Sequence, residues 1–118
     1  MILFTDEIVA KLIENGRASA AAIDRDGNTP DHVPVVKIFN PCGAGTWLIT
    51  ECDPDEPDRL YGLCGLHEFE LGYVLRSELE GFRNCLNGLG LERDLYAKFK
   101  KTLSGYADEA RTTGDLMV

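Results

Sequence analysis

Apolar and polar positions change period several times along the chain, and each change marks an element. Ile8, Val9, Leu12 and Ile13 share one helical stripe after Thr5, with Asp6 and Glu7 in the first turn, where carboxylates favour the positive end of a helix. Asn15-Gly16 reads as its stop. The Ala-rich stretch 17–22 either extends a helix or opens a strand through Ile23. Residues 24–34, with Gly27, Asn28, two prolines and three aspartates, form a polar connection.

The middle of the chain switches to β-branched and alternating segments. Val35 to Phe39 and Trp47 to Cys52 flank Asn40-Pro41-Cys42-Gly43-Ala44-Gly45, the pattern of a hairpin. A period of two puts Trp47, Ile49 and Glu51 on one face of the second strand and Leu48, Thr50 and Cys52 on the other. The turn Asp53-Pro54-Asp55-Glu56-Pro57-Asp58 leads to a strand over Leu60 to Leu66, and a link through His67 leads to another over Phe69 to Leu75. Phe69, Leu71, Tyr73 and Leu75 form the expected buried face of that strand, which sits near a sheet edge.

Ser77-Glu78-Leu79-Glu80 has capping-box spacing and precedes a stripe of Leu79, Phe82 and Leu86 that Asn87-Gly88 ends. Leu91 to Phe99 supplies a last strand, and Leu103, Tyr106 and Ala110 line a C-terminal helix that Gly105 weakens by ~1 kcal/mol. The predicted fold is α+β: an antiparallel sheet of four to five strands in a meander, with an N-terminal helix, a helix after strand four and a C-terminal helix. At 118 residues the chain suits one domain, 1–118. Its 44% hydrophobic and 27% charged residues exclude the disordered class.

Charge and cysteine usage narrow the setting. Twenty acidic against twelve basic residues give a net charge of -8, a field that repels phosphate and disfavours direct nucleic-acid binding. Lys98, Lys100 and Lys101 make only a weak basic footprint. Met1 to Phe4 gives way at once to Thr5, Asp6 and Glu7, unlike an export signal, and no apolar run approaches the ~20 residues that cross a bilayer, so a soluble cytoplasmic protein is expected. Cys42, Cys52, Cys64 and Cys85 are separated by 9, 11 and 20 residues without a Cys-x-x-Cys pair, which favours reduced thiols over a secreted two-disulfide scaffold.

An ordered set of short motifs runs through the chain: Val35-Val36-Lys37-Ile38-Phe39-x-Pro41, Thr46-Trp47-Leu48-Ile49-Thr50-Glu51-x-Asp53, Gly62-Leu63-Cys64, Glu70-Leu71-Gly72-Tyr73-Val74, Ser77-Glu78-Leu79 and Leu91-Glu92-Arg93-Asp94, with Thr102-Leu103-Ser104-x-Tyr106-Ala107 in the tail. Together they resemble the bacterial domain of unknown function 2958, a family of small proteins of plasmids, phages and conjugative elements. Gly65-Leu66-His67-Glu68-Phe69 is tighter than the Gly-rich loop expected there. The resemblance implies a mobile-element setting and no established activity. A single-stranded DNA endonuclease label occurs in such families, without catalytic residues to carry over.

The chemistry-bearing residues support several readings. Glu51 with Asp53, and Glu92 with Asp94, are carboxylate pairs that could hold Mg²⁺ beside Lys37 if they converged; otherwise they belong to an acidic turn and to salt bridges. Cys64-x-x-His67, with Cys42 or Cys52, has zinc-like spacing, although a cysteine in an apolar strand is more often a small buried hydrophobe. The 53–58 turn lacks the Gly and terminal Glu of a calcium loop, and Gly43-Ala44-Gly45 lacks the Lys of a phosphate loop. Trp47, Tyr61, Tyr73 and Tyr96 are either packing residues or stacking platforms that would need a basic groove beside them.

The leading expectation is a non-enzymatic interaction module with an unidentified protein partner, no membrane and no cofactor. The alternatives are a Mg-dependent single-stranded DNA nuclease built on Glu51, Asp53, Glu92 and Asp94, and a DNA-mimicking inhibitor.

Overall fold

The computed structural model of the protein describes residues 1–66, 68–84, 87–116 and 118. Its elements are α1 (Asp6–Arg25), β1 (Val36–Phe39), β2 (Thr46–Cys52), β3 (Arg59–Gly65), β4 (Phe69–Leu75), α2 (Arg76–Gly81), β5 (Glu92–Arg93) and α3 (Leu103–Thr113). All strand pairs are antiparallel, in the order β4-β3-β2-β1-β5. The expected meander is β1 to β4, and β5 adds to the outer side of β1. The α+β class and the positions of all three helices agree with the sequence pattern.

The sheet is covered on both faces. Leu12 of α1 and Leu79 of α2 pack with Ile38, Ile49, Cys52 and Leu60 on one side. Leu103, Tyr106 and Ala107 of α3 pack with Leu48 and Leu63 on the other. Thr5 starts α1 as expected, its hydroxyl accepting from the Ile8 amide at 3.3 Å.

Asn15-Gly16 does not stop α1, which runs on through the Ala-rich stretch to Arg25. Both residues are buried because they form the contact with β2. A Cβ on Gly16 would lie 1.9 Å from the Cys52 carbonyl oxygen, so only glycine permits this approach. Asn15 Nδ2 donates to the Thr50 carbonyl at 2.9 Å. That packing outweighs the ~1 kcal/mol that an interior glycine costs a helix.

The Thr50 carbonyl needs a side-chain donor because Thr50 is the extra residue of a β-bulge: Ile49 faces Gly62, whereas Glu51 faces Tyr61. The bulge corrects the strict alternation expected of β2. Cys52 joins Ile49 on the α1 face, and Glu51 moves to the opposite face across from Tyr61.

Three further expectations are corrected. On β4 the Leu71, Tyr73 and Leu75 side chains are exposed, at 39%, 61% and 38%, whereas Val74 from the other face packs into the core. β4 is an edge strand, and α3 covers only part of its face. Ser77 does not cap α2: its amide and hydroxyl both donate to Asp58, at 2.9 and 2.7 Å, while Glu78 reaches back to the Leu75 amide. The helix ends at Gly81, short of Asn87-Gly88; Leu86 lies outside the described residues. The strand expected over Leu91 to Phe99 shrinks to Glu92–Arg93, because Asp94 Oδ1 accepts from the Tyr96 amide and turns the chain away.

Cys42, Cys52 and Cys64 are free thiols, and Cys85 lies outside the described residues. Among the described residues no helix is long and apolar enough to cross a membrane.

Candidate functional site

A cleft of about 620 Å³ opens at the end of the sheet where β2 leaves its bulge. One wall is the second half of α1, with Gly16, Ser19, Ala20 and Ile23. Asp31 and His32 from the α1–β1 connection form the roof, and Leu103 and Ser104 begin α3 beside them. The floor carries Glu51 and Cys52 of β2, Asp53 just after it, and Tyr61, Leu71 and Tyr73 of β3 and β4.

The connection over residues 26–35 is fastened at both ends of this roof. His32 Nε2 lies 3.2 Å from the Ser19 hydroxyl on α1. The His32 carbonyl accepts from the Leu103 amide at 2.9 Å, and Asp31 accepts from both the amide and the hydroxyl of Ser104. The Asp31 carboxylate and the His32 carbonyl thus each satisfy one amide that α3 leaves free at its positive end. Burial alone would raise the Asp31 pKa, but the hydrogen bonds from Ser104 and Thr102 outweigh it and hold the carboxyl below its ordinary value.

The floor is aromatic and acidic. The Tyr61 and Tyr73 rings are 5.1 Å apart and tilted by 59°, and the Arg59 guanidinium lies 3.9 Å from the Tyr73 ring centre, holding that ring in place. Burial raises the Tyr61 pKa, reinforced by Tyr73, Glu51 and Asp31 nearby. The Cys52 thiol is likewise pushed up, first by burial and then by Asp53 and Glu51. Three carboxylates therefore share the cleft, and its lining contains no lysine or arginine.

The two carboxylate pairs proposed for magnesium are not brought together. Glu51 and Asp53 line the cleft, whereas Glu92 pairs with Phe39 on the far side of β1. Strand spacing and rise put the pairs on the order of 15 Å apart. Asp94 is held by the Tyr96 amide, and by Lys37 at 3.3 Å; against some burial, these keep its pKa low. Lys37 is thus tied to Asp94, just after β5, and donates to the Val118 carbonyl at 2.9 Å. Among the described residues no three His, Cys, Asp or Glu side chains are grouped closely enough to hold a metal ion.

The family model for a protein of unknown function, DUF2958, matches residues 3–117, which contain every helix and strand. The chain belongs to the DUF2958 family. No curated protein and no solved structure matches it. The motifs that carried the resemblance in this DUF2958 chain fall on β1, β2, β3, β4, α2, β5 and the start of α3, so they cover the sheet and the cleft floor but not the α1 wall.

The remaining candidates of this DUF2958 protein have plain structural places. Cys64 is pushed up to a pKa of about 11 by burial, the behaviour of a packed thiol, and its zinc-like partner His67 lies outside the described residues. Trp47 packs against the core. Tyr96 stands with Lys98, Lys100 and Lys101 around a shallow depression of about 350 Å³, where Lys101 is committed to Glu109. The acidic side chains lie on α1, the turns, β2, β4, α2, β5 and α3.

Sequence reasoning named Glu51, Asp53, Tyr61 and Tyr73 but missed Asp31, His32 and Ser19. Asp31 and His32 sit in a segment that reads as a polar connection and Ser19 in the Ala-rich stretch before it, and they acquire their roles from contacts up to 73 residues away.

Proposed function

We propose that this chain is a binding module whose cleft receives a cationic side chain, guanidinium or ammonium, of a partner protein. The observation that carries this reading is the lining itself: Asp31, Glu51 and Asp53 beside the Tyr61–Tyr73 pair, with His32 but no lysine or arginine among the lining residues. A cation is drawn by both kinds of group, since carboxylates attract it by charge and aromatic faces by their quadrupole. The carboxylates line different walls instead of closing on one point, which suits an extended organic cation better than a compact metal ion. Leu71, Ile23 and Leu103 offer apolar contact to the aliphatic stem of such a side chain. The mobile-element setting implied by the sequence resemblance fits an accessory module of this kind.

Calorimetric titration with an arginine-containing peptide, and with the same peptide carrying neutral citrulline instead, tests the reading. The arginine peptide binds, the citrulline peptide binds at least about tenfold more weakly, and Glu51→Gln narrows the gap. Equal affinity for the two peptides contradicts it.

A further inference from the structure

The floor of the cleft is also the rim of the sheet, since Leu71 and Tyr73 belong to the edge strand β4. The direction of the β4 backbone at these two residues follows from hydrogen bonds further along. The Arg59 carbonyl accepts from the Asp53 amide at 2.9 Å, so Arg59 turns its backbone toward β2. In an antiparallel sheet successive residues turn their backbone groups to alternate sides. Leu60, Gly62 and Cys64 therefore turn toward β4, where they meet Val74, Gly72 and Glu70. Leu71 and Tyr73 then point their N–H and C=O groups outward, away from β3. Leu75 continues the same series, and its amide does leave the sheet, donating to Glu78 Oε1 at 3.3 Å.

β4 thus presents two outward donor–acceptor pairs at the mouth of an acidic, aromatic cleft. It carries none of the usual protection of an edge strand: it has no proline, its pairing with β3 is unbroken by a bulge, and Glu70 is its one charged residue. Its Tyr73 and Leu71 side chains stand in solvent beside Glu51 and Tyr61.

From this arrangement, and resting on the reading of the cleft given above, we infer that the partner adds an extended segment as a sixth strand along β4, with basic residues at alternate positions entering the cleft. Main-chain hydrogen bonds to Leu71 and Tyr73 supply sequence-independent affinity, and the cleft supplies the side-chain preference. Alternate residues of an added strand face the same side, about 7 Å apart, so Arg or Lys at positions i and i+2 would flank Tyr73 and extend toward the acidic cleft, with Glu51 three strand spacings, about 14 Å, across the sheet. A second copy of this chain is a poorer occupant. Its own β4 would bring Glu70, and the -8 charge of the whole chain, toward an equally acidic surface.

The probe is a ten-residue peptide of alternating Arg and Thr, with a version N-methylated on alternate residues to remove its strand-pairing donors. Binding slows amide exchange at Leu71 and Tyr73 by at least about tenfold, and both N-methylation and Leu71→Pro weaken binding by about tenfold. Proline at 71 deletes an outward amide that β3 does not use, and the N-methylated peptide tests the same bond with the protein unaltered. Binding that keeps its Glu51→Gln sensitivity but ignores both changes, with exchange at Leu71 and Tyr73 unaltered, overturns the added strand and leaves the cleft reading standing. Binding indifferent to Glu51→Gln overturns the cleft reading, and with it this one. Peptide-free dimerisation that Leu71→Pro abolishes assigns the edge to a second copy and overturns the inference.

Discussion

The two edges of the sheet are finished in opposite ways. β5 is two residues long, and the N-terminal segment lies against it: the Arg93 amide meets Met1 Sδ at 3.1 Å and its guanidinium reaches the Leu3 carbonyl at 3.4 Å. Leu3, Phe4 and Leu91 are buried there. β4 is seven residues long, carries exposed Leu71, Tyr73 and Leu75, and turns backbone groups into solvent. An uncovered apolar edge invites aggregation unless something specific occupies it. The closed edge shows that this chain has the means to shield a strand, and the open one, placed beside the cleft, is where the proposed partner would add.

The contrast depends on α1 standing against β2, and the most disruptive way to break it is Gly16→Ala. The added Cβ would meet the Cys52 carbonyl at 1.9 Å and push the helix off the strand. The clash outweighs the ~1 kcal/mol gain in helix propensity, and the expected net loss is about 3 kcal/mol, a fall in Tm of roughly 10 °C or more by thermal melting.

Matched leucine truncations at the two edges sharpen the contrast. Leu91→Ala empties a buried position beside β5 and costs about 3 kcal/mol in urea unfolding, with peptide affinity per folded molecule unchanged. Leu71→Ala removes a 39% exposed side chain, costs less than about 1 kcal/mol, and weakens peptide binding. The reverse pattern would mean that β4 is structural and β5 functional.

The smallest effect concerns the roof. Asp31 has a folded pKa below its ordinary 3.8, so its stabilising bonds to Ser104 are complete above that value and are lost as pH falls through the lower folded value. Acid unfolding below pH 3.8 should therefore flatten slightly in Asp31→Asn, and the protection of the Ser104 amide, relative to its intrinsic exchange rate, should lose its dependence on acid pH.

Most of the fold was legible because hydrophobic period, turn residues and β-branched runs agree with one another from Thr5 to Leu75. What was hidden had tertiary causes. Asn15-Gly16 has the composition of a stop, but its role is a close approach to Cys52, which lies 36 residues on. A bulge at Thr50 leaves no trace in an alternating pattern, yet it decides that Glu51 faces Tyr61. The capping partner of Ser77 is Asp58 from another turn. β4 alternates as a buried strand would, but α3 stops short of covering it. Of the site, Glu51, Asp53 and both tyrosines stood out by chemistry, whereas Asp31, His32 and Ser19 became visible only when the connection was seen clasping α1 to α3.

Amide exchange at Leu71 and Tyr73, followed with and without the alternating Arg-Thr peptide, tests the account most directly. Both amides should exchange readily in the free protein and slow by about tenfold or more in the complex. Amides already protected in the free chain, or unchanged under saturating peptide, would contradict an edge kept open for a cationic strand.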